Sequence, residues 1–284
     1  MRIKFWGVRG SIASPGPDTA GVGGNTSCVE VTCGGSRFVL DAGTGMRRLG
    51  DALLREGPVD ATLLLSHLHW DHIQGLPFFV PAYLPSTKLR VVGSGGGAAS
   101  LHDVLAGQMT APVFPVRLDE LGAALTLREV RGGDSFHVGE ARVRAVKLNH
   151  PGGVLAYRID HDGRSVVYAT DTEHYACVDP ALRALAEGAD VLIYDSQYTP
   201  EEYRGDAGRS RVGWGHSTYV AGAELSREAG VGRYVLFHHD PQRTDAGVAD
   251  LERRAQELFS SSLAAREGME IAVGCAALAQ AQAA

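Results

Sequence analysis

Short apolar runs bounded by turn residues alternate along this chain with longer stretches whose apolar positions recur at helical spacing. In the first third, "RIKFWGV" (2–8), "SCVEVTC" (27–33) and "RFVLDAG" (37–43) predict strands. "TGMRRLGDALLREGP" (44–58) predicts a helix, since Met46, Leu49 and Leu53 share one face and Gly57-Pro58 stops it. "ATLLLS" (61–66) and "KLRVVG" (88–93) return to strand, with the proline-bounded "LPFFVPAYLP" (76–85) between them.

Residues 94–122 break the rhythm. A glycine-rich turn there could open a helix, and two prolines bracket Val113 and Phe114. The stretch reads equally as a surface excursion or as a flap over a site. Beyond it, "ALTLREV", "ARVRAVKLN", "VLAYRID", "SVVYAT", "DVLIYD", "RYVLF" and "EIAVG" predict strands. "DPALRALAEG", "STYVAGAELSREAG" and "TDAGVADLERRAQELF" predict helices, the first with Asp179 as N-cap, Pro180 in its first turn and Gly188 as its stop. Strand followed by helix, with no solenoid period, predicts a layered α/β architecture in one domain over 1–284.

Composition narrows the classes. The 284 residues are 44% hydrophobic and 21% charged, enough for a sizeable core. A net charge of −6 argues against broad phosphate neutralisation on duplex DNA or RNA, so no stable nucleic-acid complex is expected. The N-terminal stretch carries no apolar leader, and no run approaches membrane-spanning length. Cys28, Cys33, Cys177 and Cys275 show no CxxC spacing, so a cytoplasmic location with reduced, buried thiols is the expectation.

Chemistry concentrates in "HLHWDH" (67–72), which follows directly on the apolar "ATLLLS". His67 and His69, two apart, point the same way in an extended loop and can grip one metal, while Asp71 and His72 face a second position. "LNHPGG" puts His150 after a strand, "VVYATDTEH" puts Asp171 at the end of another, and "YVLFHHD" puts His238 and His239 after a third. Ligands of α/β sheets gather beyond the strand ends, so these positions can converge. Taken singly, His150 or His238 reads better as a structural hydrogen-bonding histidine. Four potential ligands in six residues do not read as packing, and they raise the others with them. Imidazole with carboxylate suits zinc first, then manganese, iron or cobalt.

Together these motifs resemble the metallo-β-lactamase-fold superfamily, from "FWGVRGS" to "LFHHDP". The resemblance implies a four-layer αββα sandwich and a dinuclear centre. One metal would take His67, His69 and His150, the other Asp71, His72 and His238, with Asp171 bridging. His238 is preferred to His239, and both stay open. Asp171 stands where classical β-lactamases carry cysteine, which disfavours an antibiotic hydrolase. "GHSTYVAGAELSREAGVGRYVLFHH" resembles ribonuclease Z and its phosphodiesterase relatives, which implies that His216 donates a proton to the leaving oxygen. A turn histidine before a capped helix is the plainer alternative.

Asp195 either orients His216 or forms a salt bridge at its strand end. His150 and Asp171 stand 21 positions apart, room for two strands and a turn but not for the tRNA-gripping arm of ribonuclease Z. "GVGGNTS" would present Asn25 and Thr26 to the site, or simply connect a hairpin. Asp41 would support the histidine loop, or cap a helix. The loop 196–215, with Tyr198, Tyr203, Arg204, Arg209, Arg211 and Trp214, would lie at the site mouth or pack on a surface.

The expectation is a cytoplasmic phosphodiesterase with two divalent cations, zinc before manganese or iron, and no organic cofactor, and the resemblance implies a homodimer. It would cleave a small phosphodiester, in particular a cyclic nucleotide, by attack of a metal-bound hydroxide. Asp171 would hold the nucleophile, Asp71 would accept its proton and His216 would serve the leaving group. The alternatives are a carboxyl-ester, thioester or lactone hydrolase, a ribonuclease Z-like RNA endonuclease, and a catalytically silent nucleotide-binding sensor.

Overall fold

The computed structural model of the protein describes residues 1–206 and 208–274. Cys275, expected as a buried thiol, and the Ala/Gln tail lie outside the described residues.

Strands β1 (Arg2–Gly7), β2 (Cys28–Cys33), β3 (Ser36–Leu40), β4 (Asp60–Leu64), β5 (Lys88–Gly93) and β6 (Ala124–Glu129) form most of one sheet. A second sheet holds β7 (Ser135–Val138), β8 (Ala141–Leu148), β9 (Val154–His161), β10 (Arg164–Ala169), β11 (Val191–Asp195), β12 (Arg233–Phe237) and β13 (Ser262–Ala264). Strand β14 (Glu270–Ala272) returns to the first sheet, whose order is β14-β1-β2-β3-β4-β5-β6. The second runs β13-β12-β11-β10-β9-β8-β7, so each sheet has seven strands. From β3 to β6 and from β10 to β13 the neighbours are parallel. Parallel neighbours need crossover connections, and these carry the helices to the outer faces.

Helices α1 (Gly45–Leu53), α2 (Trp70–Ile73) and α3 (Leu101–Gln108) belong to the first half, and α4 (Pro180–Ala186), α5 (Pro200–Arg204), α6 (Tyr219–Glu228) and α7 (Asp245–Leu258) to the second. Met46, Leu49 and Leu53 of α1 pack with Leu101 and Leu105 of α3 on the outside of the first sheet. The inner core joins the sheets: Phe5 of β1 meets Phe237 of β12 with ring centroids 6.1 Å apart. The result is the four-layer αββα sandwich that the resemblance implied.

Local signals hold where they were strong. Asp179 caps α4 by accepting from the amides of Ala181 and Leu182, at 2.8 and 2.9 Å. The predicted strand at 124–130 forms as β6 and closes the edge of the first sheet. Other expectations change. The 94–122 excursion is not a flap: Leu101, Leu105, Met109 and Leu118 bury it against the outer face of the first sheet. Its glycine-rich start, with Val104 of α3, borders the site. Cys177 is exposed rather than buried, because it sits in the loop before α4, whereas Cys28 and Cys33 lie in the sheet core.

Candidate metal centre

The site lies where the strand ends of both sheets meet. Three of its side chains leave their strands through a left-handed backbone: Asp41 after β3 (φ +62°), Asp171 after β10 (φ +52°) and His238 after β12 (φ +60°). Such conformations cost energy in non-glycine residues and persist where the surroundings over-determine them. Here each turns the side chain back over the end of its own sheet. The loop after β4 supplies His67 and His69, and the single turn of α2 supplies Asp71 and His72.

The structure brings all seven expected ligand residues together. Ligand atoms of His67, His69 and His150 lie within 4.8 Å of one another, as do those of Asp71, His72, Asp171 and His238. Asp171 divides its oxygens between the groups. Its Oδ2 lies 3.6 Å from His67 Nε2 and 3.8 Å from His150 Nε2. Its Oδ1 lies 3.4 Å from His72 Nε2 and 3.2 Å from His238 Nε2. His239 is turned away, bonding the carbonyl of Ala265 at 2.9 Å through Nε2, and burial lowers its pKa to about 3.

What holds four of the five rings is a bond at the other nitrogen. His72 Nδ1 donates to Asp41 Oδ2 (2.8 Å), His150 Nδ1 to the Gly215 carbonyl (2.8 Å) and His238 Nδ1 to Gln197 Oε1 (2.9 Å). Ser66 gives its hydroxyl proton to Asp41 Oδ2 (2.8 Å), so its oxygen accepts from His67 Nδ1 (3.0 Å). Each partner fixes the tautomer that leaves an Nε2 lone pair facing inward. His69 is reversed, with Nδ1 inward, 3.0 Å from His150 Nε2. Asp71 Oδ2 is pinned by the backbone N–H of Ser11 at 2.8 Å.

This donor set fits a pair of divalent cations. His67 Nε2 and His72 Nε2 are buried without a hydrogen-bond partner, though both point into the cluster. A neutral His72 would aim its lone pair at Asp71 Oδ2, 3.1 Å away, and at Asp171. Burial opposes a charge on His72, but Asp171, Asp71 and Asp41 outweigh it and hold its pKa well above the ordinary value. The carboxylates therefore demand a positive charge at this point, which a cation supplies better than a proton. Burial, aided by His72, keeps His67 neutral, the form that binds metal.

His216 overhangs the centre, its ring stacked on His238 with centroids 5.0 Å apart and edge-on to His150 at 5.3 Å. Asp195, ending β11, accepts from its Nδ1 at 2.8 Å, which settles that residue's contact in favour of orienting His216. Burial alone would lower the His216 pKa; Asp195 first, then Asp171 and Asp71, push it up to about 9.

Asp41 caps no helix. It accepts from Ser66 N, Ser66 Oγ, His72 Nδ1 and Tyr168 OH, at 2.7 to 2.8 Å. Asn25 and Thr26 do not face the site: Asn25 bonds Glu267, and Thr26 exchanges bonds with Thr44 at the start of α1. In the 196–215 loop, Tyr203 OH bonds Glu173, Arg204 pairs with Asp206, and Arg211 pairs with Asp240 over the buried Tyr198 ring. Trp214 stays exposed with Arg209 against its ring.

Sequence reasoning missed Ser11, Ser66, Gln197 and Glu173. The last is buried and accepts from the amides of Gly213 and Gly215 at 2.7 and 2.9 Å, fixing the carbonyl that orients His150. Ser11 ends "FWGVRGS" and Glu173 lies in "VVYATDTEH", but neither stretch marks them as supporting residues. For Ser66 alone, adjacency to the histidine loop was a usable signal.

A sandwich with a paired donor cage at its strand ends defines a class, and the comparisons agree with it. The chain belongs to the metallo-β-lactamase-fold hydrolases: the family described as "Beta-lactamase superfamily domain" matches residues 36–239. It is similar to the ribonuclease Z of Mycobacterium sp. (strain KMS), 30% identical over 274 residues, covering 87% of this chain and 88% of that one. Among solved structures, the metallo-β-lactamase fold protein YhfI of Bacillus subtilis superposes with a TM-score of 0.71 at 20% identity, over 95% of this chain and 98% of that one. The short form of human tRNase Z gives 0.68 at 20% identity, over 97% and 100%. No helix among the described residues is long and apolar enough to cross a membrane.

Proposed function

We propose that the protein hydrolyses a small phosphodiester, a cyclic nucleotide in particular, at a centre of two divalent cations, zinc first. His67, His69 and His150 would hold one cation, and Asp71, His72 and His238 the other, with Asp171 shared. The observation that carries this reading is the division of the Asp171 oxygens between the two histidine groups, at 3.2 to 3.8 Å. Two bound cations would supply Lewis-acid activation of water and of the phosphoryl oxygens.

The chain's own side chains do the rest. His216 delivers a proton to the departing ribose oxygen from Nε2, because Asp195 occupies Nδ1. Burial opposes a charge on its ring, but Asp195 outweighs it and favours the protonated form at neutral pH. Asp71, held by the Ser11 amide, is the acceptor for the proton of the attacking water. A small substrate is favoured by the bare hairpin of β9 and β10 between His150 and Asp171, and by the net charge of −6.

A second reading, an RNA endonuclease, is supported by the 30% identity to a ribonuclease Z. One experiment separates the readings: purified protein, with and without chelator, on cyclic nucleotides, bis(p-nitrophenyl) phosphate and a tRNA precursor. Turnover of the small diesters, lost on chelation and restored by zinc or manganese, is expected. Retained turnover under chelation or in Asp171→Ala overturns the proposal, and cleavage of the precursor alone selects the second reading.

A further inference from the structure

A trough of about 650 Å3 opens next to the cage, within the range of small-molecule sites. Ser94, Gly95, Gly97, Gly152 and Gly153 line it, and the same residues line a recess of about 340 Å3 that contains His67 and His69. The two spaces are therefore continuous. A Cβ added to Gly152 would lie 4.0 Å from His69 Nε2, and one added to Gly153 would lie 3.5 Å from Lys147 Cε. Two glycines thus separate the edge of the cage from the end of a lysine. Gly132 packs against the Lys147 backbone, with only 2.7 Å between its Cβ position and Lys147 N, which brings the neighbouring Arg131 to the same trough.

Lys147 and Arg131 have no salt-bridge partner among the described residues. The one carboxylate lining the trough, Glu129, accepts from the Leu101 amide at 2.7 Å through Oε1 and keeps its charge, so the two cations leave the lining with an excess of one positive charge. In a chain of net charge −6, two unpaired cations on one concave surface make a local attractor for anions. The glycines on its walls let a ligand approach the backbone closely.

We propose that this trough is a subsite for a second phosphate of the substrate, held by Lys147 and Arg131 while the scissile diester lies at the cage. The substrate class is then a nucleotide diester with a further phosphate on its sugar. The inference rests on the phosphodiester reading above.

The test compares thymidine 3′-(p-nitrophenyl phosphate) with and without a 5′-phosphate on the zinc-loaded protein. The 5′-phosphate should lower KM about tenfold, the effect of one or two charge-assisted hydrogen bonds at an exposed site. The advantage should shrink as sodium chloride rises. It should survive in Lys147→Arg and vanish in the double variant Lys147→Ala/Arg131→Ala. Equal KM values for the two esters in the unaltered protein, or an undiminished advantage in the double variant, overturns the subsite. Calorimetric titration with thymidine 3′,5′-bisphosphate gives a reading independent of turnover. The double variant should bind it about tenfold more weakly, and equal affinity refutes the trough. If neither ester nor bis(p-nitrophenyl) phosphate is cleaved, the phosphodiester reading fails, and the titration still decides the subsite.

Discussion

Replacing Asp41 by Asn asks whether the cage is held by its supporting bonds as well as by its ligands. Asp41 is fully buried; Oδ2 accepts three bonds, from Ser66 Oγ, His72 Nδ1 and Tyr168 OH, and Oδ1 accepts one from Ser66 N. Asparagine has the same shape but one acceptor oxygen. With that oxygen in the Oδ2 position three bonds survive, and the new NH2 faces the Ser66 N–H. The opposite orientation strands three donors and is worse. The better arrangement leaves two buried donors unpaired, the Ser66 N–H and the new NH2, a cost of about 1–3 kcal/mol each. At about 2–4 °C per kcal/mol, even the lower end, about 2 kcal/mol in all, lowers the melting point of metal-free protein by roughly 4–8 °C. The carboxylate also raises the basicity of His72, so metal affinity should fall about 10–100-fold. Competition against a chromophoric chelator measures the affinities, and scanning calorimetry of metal-free protein measures the melting point. His72 bonds Asp41 directly and His67 only through Ser66, so the cation on the His72 side should weaken more. Affinities within twofold of the original, with an unchanged melting point, would refute the argument.

Two further outcomes follow from His216 and its partner. His216→Ala should slow release of a ribose oxygen by about 10²–10⁴-fold. It should slow release of p-nitrophenolate, a stable anion, much less; equal losses would make His216 structural, and no loss on either would favour an ester hydrolase. Because His216 must be protonated to act, turnover should fall on the alkaline side of its pKa, which is about 9 without metal and which cations bound at Asp171 and Asp71 would lower. Asp195→Asn removes the strongest interaction that raises this pKa, so the alkaline limb should move toward the ordinary 6.5. A pH–rate profile whose limb stays in place would assign the proton to another group.

How much was legible beforehand depended on where the information sits. "HLHWDH" carries its chemistry within six residues, and His150, Asp171 and His238 are marked by the apolar strands that precede them. Ser11 and Asp71 are 60 positions apart, and His238 and Gln197 are 41 apart. An isolated serine or glutamine has many uses, and only the fold chooses one. The glycine-rich 21–27 loop left two readings open, and the structure takes the plainer one, a connection between antiparallel β1 and β2. Glycines there announce a turn and say nothing about where Asn25 points, and Glu267, from the far end of the chain, takes it. Strands β7 and β13 are four and three residues long, too short for alternation to register.

The cage draws on both sheets, and its assembly needs their alignment. His67, His69, Asp71, His72 and Asp41 come from the first; His150, Asp171, His238 and Asp195 come from the second. Cations bound there cross-link the layers, and a ligand at a thousand times its Kd adds about 4 kcal/mol to folding. That is large against a typical stability of about 5–15 kcal/mol. Yet cations need not supply the alignment, because three protein bonds cross between the sheets beside the site. Tyr168 OH reaches Asp41 at 2.7 Å, Tyr157 OH reaches the Leu65 carbonyl at 2.8 Å, and the Leu155 amide reaches the Ser66 carbonyl at 2.8 Å. Two of the three grip residues 65 and 66, directly before His67. The loop that begins the ligand set is therefore fastened to the opposite sheet by uncharged donors, so the cage is shaped before metal arrives and the binding energy is not spent on ordering it.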